Sequence, residues 1–298
     1  MKTQLITLTA TLFLFCTPSF GMKKSGSDFI KKFSEQYNVN PDVEFESNTS
    51  FGEVTIESWD NNEISIEVEV VVEAKNEKDA NEVFDRIEIK MHGSKERVMI
   101  ETEMSGGNYN NDGSFEINII IKAPENTRLN VDHAFGNLDI GTFRNKAKIH
   151  SSYGELNIDD MSHKDLDIHM SFGEADINRV GGGEFSVEFG AMEIGHLHDD
   201  AELNCSYSSL EVLVDSDACK NLEVDNEFGD VEIEIHEDLS FRVEGEASFG
   251  DIDLPSNTKN HKVEKDFSSY SVEATIGQNP QGELVIDSSF GSVTVDFR

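Results

Sequence analysis

An aromatic residue followed by Gly or Ser, with apolar side chains three and five positions on, returns along most of this chain. The copies begin Phe51-Gly52-Glu53-Val54-Thr55-Ile56, Phe135-Gly136-Asn137-Leu138-Asp139-Ile140 and Tyr153-Gly154-Glu155-Leu156-Asn157-Ile158. They continue at Phe172, Phe189, Tyr207, Phe228, Phe249 and Phe290. From Phe135 to Phe249 the aromatics sit 18, 19, 17, 18, 21 and 21 residues apart, and the next gap of 41 reads as two periods with a degenerate copy at Tyr270-Ser271. Each period holds two runs with apolar residues at every second position, such as Leu129 and Val131 before a corner and Leu138 and Ile140 after it. Period two over four to six residues marks half-buried strands. A coil of two or three such strands cannot bury its inward row alone, so it must stack on copies of itself. The predicted fold is all-β, a parallel β-helix (β-solenoid) of about 18–21-residue coils spaced about 4.8 Å apart. An antiparallel sandwich would also show regular turns, but has no need of a fixed aromatic-Gly corner. In this reading the aromatics form one internal column, and the Gly after each turns the chain with positive φ.

The stretch before Phe135 is less regular. Phe29, Ile30, Phe33 and Tyr37 fall at helical spacing, which predicts a short amphipathic N-terminal helix over Ser27 to Tyr37, covering the open end of the solenoid. A second, inserted helix is expected at Glu77 to Arg86, after a long strand from Glu63 to Ala74. The first residues carry Lys2, an apolar run from Leu5 to Phe15 and a small-x-small site at Ser19-Phe20-Gly21, the pattern of a cleaved secretory signal. Cys16 follows Phe15 rather than a small residue, which speaks against lipid attachment. The expected organisation is a signal peptide over 1–21, a helical leader or cap over 22–42, an N-terminal β region of the solenoid over 43–125 and regular repeats over 126–298. The protein is therefore expected to be exported to the periplasm, cell surface or medium. Its remaining Cys205 and Cys219 are expected as free thiols, with Cys205 facing inward.

Charge narrows the partners. With 59 Asp+Glu against 24 Lys+Arg, the formal net charge is −35, unsuited to nucleic acid or to an anionic lipid surface. No segment after the leader is long and apolar enough to span a bilayer. Counting four positions on from each aromatic, the outward residues read Thr55, Asp139, Asn157, Asp176, Glu193, Glu211, Glu232, Asp253 and Thr294. Five successive carboxylates from Asp176 to Asp253 would stand about 4.8 Å apart, with Glu53, Glu155, Glu174, Asp230 and Asp251 beside them. Such a stripe keeps sheets from associating; the sharper alternative is that it collects Ca²⁺, which takes carboxylate ligands.

Chemistry-bearing motifs yield no assigned catalytic, cofactor-binding or metal-ligating residue. His196-Leu197-His198-Asp199-Asp200 offers imidazoles and carboxylates to a zinc ion, but falls at a corner where polar residues are expected anyway. Gly181-Gly182-Gly183 lacks the Lys-Ser/Thr and helix of a phosphate loop. The Ser before the aromatic recurs at Ser50, Ser152, Ser171, Ser206, Ser248, Ser269 and Ser289, which is corner packing rather than a nucleophile. Asp159-Asp160 and Asp199-Asp200 are paired carboxylates of the glycosidase kind, without the break in the repeat that a catalytic cleft would need.

The segment Ser50-Phe51-Gly52-Glu53-Val54-Thr55-Ile56-Glu57-Ser58-Trp59-Asp60 resembles the entry motif of the "putative adhesin" family designated domain of unknown function 4097. So does its sequel, an alternating strand from Ile64 to Val72, a short helix holding Ala80 and then the aromatic-Gly repeats. The resemblance implies an exported bacterial β-solenoid with no established catalytic residues. The functional expectation is a non-catalytic adhesin or interaction module of the bacterial envelope, contacting a surface macromolecule or glycan along a long face. The alternatives are a polysaccharide-active β-helix enzyme and a cation-binding structural envelope protein.

Overall fold

In the computed structural model, which describes residues 11–13, 26–106 and 114–298, the repeats stack into two long, facing sheets of thirteen strands each. A typical coil runs Ala147–Ser152 in one sheet, turns at Tyr153-Gly154, and continues as Glu155–Met161 in the other. Below, the sheet holding the strands before each aromatic is the leading sheet, and its partner is the trailing sheet. Neighbouring coils pair in parallel and in phase, with Leu138 beside Leu156, Leu156 beside Ala175 and Ile158 beside Ile177. The inward rows from both sheets meet in one continuous buried core. The leader expected over 1–21 lies outside the described residues except for the strand Thr11–Phe13.

The N-terminal helix is corrected to a strand. Ser27–Asn38 pairs antiparallel with Glu63–Ala74 through twelve consecutive positions, and Phe29, Phe33 and Tyr37 rest against the core. A spacing of four puts these three on one face of either a helix or a strand. The choice falls to the strand because Glu63–Ala74, whose Ile64, Ile66, Val68, Val70 and Val72 are buried, offers an open ladder of backbone groups. A helix does stand at Glu77–Phe84, capped by the Asn76 side chain, which accepts from the Asp79 amide, and seated through Ala80, Val83 and Phe84.

The C-terminal order is also corrected. The last coil, Gly282–Ser289 and Ser292–Phe297, does not stack at the end of the solenoid. It threads between the coil of Asn221–Ile235 and the coil of Phe241–Asp253. Tyr270-Ser271 is no degenerate corner: Ser269–Ile276 folds back antiparallel on Phe241–Ser248, and Lys259–Lys265 pairs with it as the outer edge. The outward carboxylate row therefore runs Asp176, Glu193, Glu211, Glu232, Thr294, Asp253, and Thr294 breaks the expected succession of five. Edges are kept short or charged, with three residues at Asp251–Asp253 and three lysines in Lys259–Lys265, which discourages strand addition.

An exposed aromatic ladder as the candidate functional site

The corner aromatics are outside the molecule, not inside. Each of the nine takes a left-handed backbone, with φ between 50° and 66°, and leaves 37–62% of its surface exposed. That conformation interrupts the in-out alternation of the strands, so the ring follows its outward predecessor onto the surface. A left-handed L-residue costs roughly 1–2 kcal/mol. Ring stacking, worth about 0.5–1.5 kcal/mol per pair, offsets it. Consecutive rings lie 4.7–5.2 Å apart and within 13° of parallel, in the order Phe51, Phe135, Tyr153, Phe172, Phe189, Tyr207, Phe228, Phe290, Phe249. Phe115 closes the first end at a tilt of 58°.

The glycine after the ring has a different task from the one expected. Only Gly52 among these has a positive φ. A Cβ on Gly136 would stand 1.8 Å from the Gly52 carbonyl oxygen, and one on Gly154 would stand 1.9 Å from that of Gly136. Corner backbones thus approach too closely for any side chain. Ser208 is the exception, and its hydroxyl donates to the Ser206 carbonyl while accepting the Gly190 amide.

Eight ring spacings make a ridge about 40 Å long. At roughly 200 Å² per aromatic side chain, the exposed fractions leave on the order of 800 Å² of largely apolar rim. Monomers rarely expose a patch above roughly 300–600 Å². Because each of the seven interior rings is stacked on both faces, the ridge offers mainly edges to solvent; of the end rings, Phe51 meets the tilted Phe115 and Phe249 stacks on Phe290 alone among the described residues.

Beneath the corners runs a buried row that is polar toward its two ends, at Thr49, His133 and Ser151 and at Asn226 and Ser288, with Met170, Val187 and Cys205 between them. The Thr49 hydroxyl lies 3.0 Å from His133 Nδ1, and His133 Nε2 lies 3.1 Å from the Gly52 carbonyl. Burial holds the imidazole pKa below its ordinary value despite the opposing bonds to Gly52 and Thr49. Both thiols are buried. Desolvation, with Asp230 adding, pushes Cys205 up to about 11, and desolvation with Asp200 and Asp199 pushes Cys219 up to about 12.

The motifs singled out for chemistry are occupied structurally. His196 and His198 both turn Nδ1 to Asp215, at 2.6 and 3.4 Å. Among the described residues, no group of three or more His, Cys, Asp or Glu is arranged to hold a metal ion. The amides of Gly181, Gly182 and Gly183 donate to the carbonyls of Met161, His163 and Asp200. Asp160 faces Arg144 and Arg179, while Asp159 accepts from Thr142 and Asn178. Burial works to raise Asp200, but hydrogen bonds from the Asn221 side chain and the Lys220 and Asn221 amides outweigh it and hold the carboxyl low. No described helix is long and apolar enough to cross a membrane.

Two facing sheets built from parallel-stacked coils, with a ridge of surface rings, define a β-solenoid of repeated corners. The chain belongs to the Toastrack DUF4097 family, whose pattern matches residues 44–296. No curated protein matches it. Similar solved structures include a "putative cell adhesion protein" from Clostridium sporogenes, 14% identical, covering 90% of this chain and 100% of that one, with a TM-score of 0.31. A "putative adhesin" from Bacteroides fragilis is 9% identical, covers 89% and 96%, and has a TM-score of 0.34. A "putative lipid binding protein" from Parabacteroides distasonis is 12% identical, covers 89% and 96%, and has a TM-score of 0.27.

Proposed function

We propose that this protein is an exported, non-catalytic interaction module of the bacterial envelope, and that the aromatic ladder is its contact surface. The observation that carries the reading is the ridge itself. Its area is close to the roughly 800 Å² that each partner contributes to a standard protein interface. Repetition makes contact multivalent, each coil adding a similar increment. Carboxylates engaged with arginines, backbone amides or neighbouring side chains, and glycine amides used in coil stacking, favour this over a hydrolase. The adhesion-related names among similar structures agree with it. Covered ring faces make the ladder a poor platform for sugars, which stack on faces.

The test replaces Phe172, Phe189 and Tyr207 together with Asn, which tolerates the left-handed corner. Immobilised wild-type chain should retain a component of the envelope fraction that the variant, still cooperatively folded, loses. Equal retention by both would overturn the ladder as the contact surface.

A further inference from the structure

The flanks of the ladder specify the chemistry of its partner, an inference that rests on the interaction reading above. Beyond the glycines stand the outward carboxylates Glu53, Glu155, Glu174, Asp230 and Asp251. On the other flank, the residues directly before the rings run Glu188, Ser206, Glu227, Ser289 in register. Beside this row lies a groove of about 440 Å³ crossing five coils, its far wall formed by His169, Ser186, Asn204, Asp225 and Asp287. Between these two rows the floor is formed at Val187 and Cys205, whose side chains are buried in the core.

Asp225 and Asp287 are register partners in that groove. Burial, with Asp287 and Glu202 adding, raises the Asp225 carboxyl above its ordinary value. Two like charges in a partly desolvated groove repel, and a cation placed between them converts that repulsion to attraction.

These features exclude several occupants. A second copy would bring carboxylate flanks against carboxylate flanks at a net charge of −35 each. Acidic glycans and anionic lipid meet the same repulsion. We propose that ladder and groove together bind a basic amphipathic polypeptide, with apolar side chains along the ring rims and Lys or Arg side chains in the carboxylate groove.

Labelled fourteen-residue peptides, about 46 Å when extended, can span the ridge and serve as probes. One alternates Lys and Leu; the comparators are Glu-Leu, Ser-Leu and Lys-Ser. Fluorescence anisotropy with the purified chain should show Lys-Leu binding at least tenfold tighter than each comparator, and weakening between 50 and 300 mM NaCl as charges are screened. The combined variant Glu188→Gln, Asp225→Asn, Glu227→Gln, Asp287→Asn should bind Lys-Leu at least tenfold more weakly without a fall in melting temperature. If Ser-Leu binds as tightly as Lys-Leu and this variant binds unchanged, the basic partner is refuted while the ladder reading stands. Equal binding of Lys-Ser, or no binding of Lys-Leu, also refutes it. If the triple Asn ladder variant binds every probe as wild type does, both readings fall.

Discussion

Replacing Phe172 by Ala and, separately, by Gly distinguishes what holds a corner together. Phe172 stacks on Tyr153 at 4.9 Å and on Phe189 at 5.0 Å, with φ at 55° and 46% of its surface exposed. Either substitution loses two stacked pairs, about 1–3 kcal/mol together, and about 1 kcal/mol for the half-buried ring. Ala also keeps the left-handed strain of roughly 1–2 kcal/mol. Gly escapes that strain but loses about 0.5–1 kcal/mol more conformational entropy on folding. The chain with Gly should therefore be more stable than the chain with Ala by about 0.5–1 kcal/mol, the reverse of their usual order in a strand. Urea unfolding followed by far-UV circular dichroism reads the difference as a shift in midpoint at unchanged slope. An Ala variant as stable as the Gly variant, or more so, would refute the account of the corner as strain balanced by stacking.

Gly154→Ala should destabilise by at least the 1–3 kcal/mol typical of overpacking, because its Cβ would meet the Gly136 carbonyl at 1.9 Å, whereas Gly141→Ala, with nothing nearer than 3.6 Å, should be well tolerated; melting temperatures compare them. Since His133 binds its proton less readily folded than unfolded, its contribution is complete above its unfolded pKa of about 6.5 and is lost as pH falls below that value toward its lower folded pKa. His133→Gln should flatten that part of a stability–pH curve, and an unchanged slope would remove the histidine from the account. Cys205 and Cys219 should resist iodoacetamide at pH 8 in the native protein and react on unfolding, as intact-mass measurement would show. If the row Asp176, Glu193, Glu211 and Glu232 collects Ca²⁺, millimolar Ca²⁺ should raise the melting temperature above an ionic-strength-matched NaCl control; equal shifts leave it a solubilising surface.

Coil stacking was legible because Phe135, Tyr153 and Phe172 mark corners whose neighbours alternate with period two on both sides. The side of the sheet that the rings occupy was not. A local pattern of aromatic then Gly is satisfied equally by a ring turned inward and by a left-handed ring turned outward, and only the close approach of Gly52, Gly136 and Gly154 selects the second. Phe29, Phe33 and Tyr37 were ambiguous between helix and strand, and a distant element, Glu63–Ala74, made the choice. The 41-residue gap before Phe290 fits two further coils as well as it fits a hairpin followed by a returning coil. The groove joins residues as distant as His169 and Asp287, and its existence depends on that return.

The threading of the last coil also orders events during synthesis. Within the described residues, Asp251–Asp253 has no ladder partner but Ser292–Phe297, and Phe241–Ser248 reaches the rest of the leading sheet only through Gly282–Ser289. A ribosome that has delivered residues up to the hairpin has therefore made a coil whose final ladder partners are not yet synthesised, while Asn221–Glu227 and Asp230–Ile235 stand as an open edge. Gly282–Ser289 and Ser292–Phe297 close that edge and carry the hairpin in with them. Arrival of the returning coil, rather than growth coil by coil, is what seals this edge.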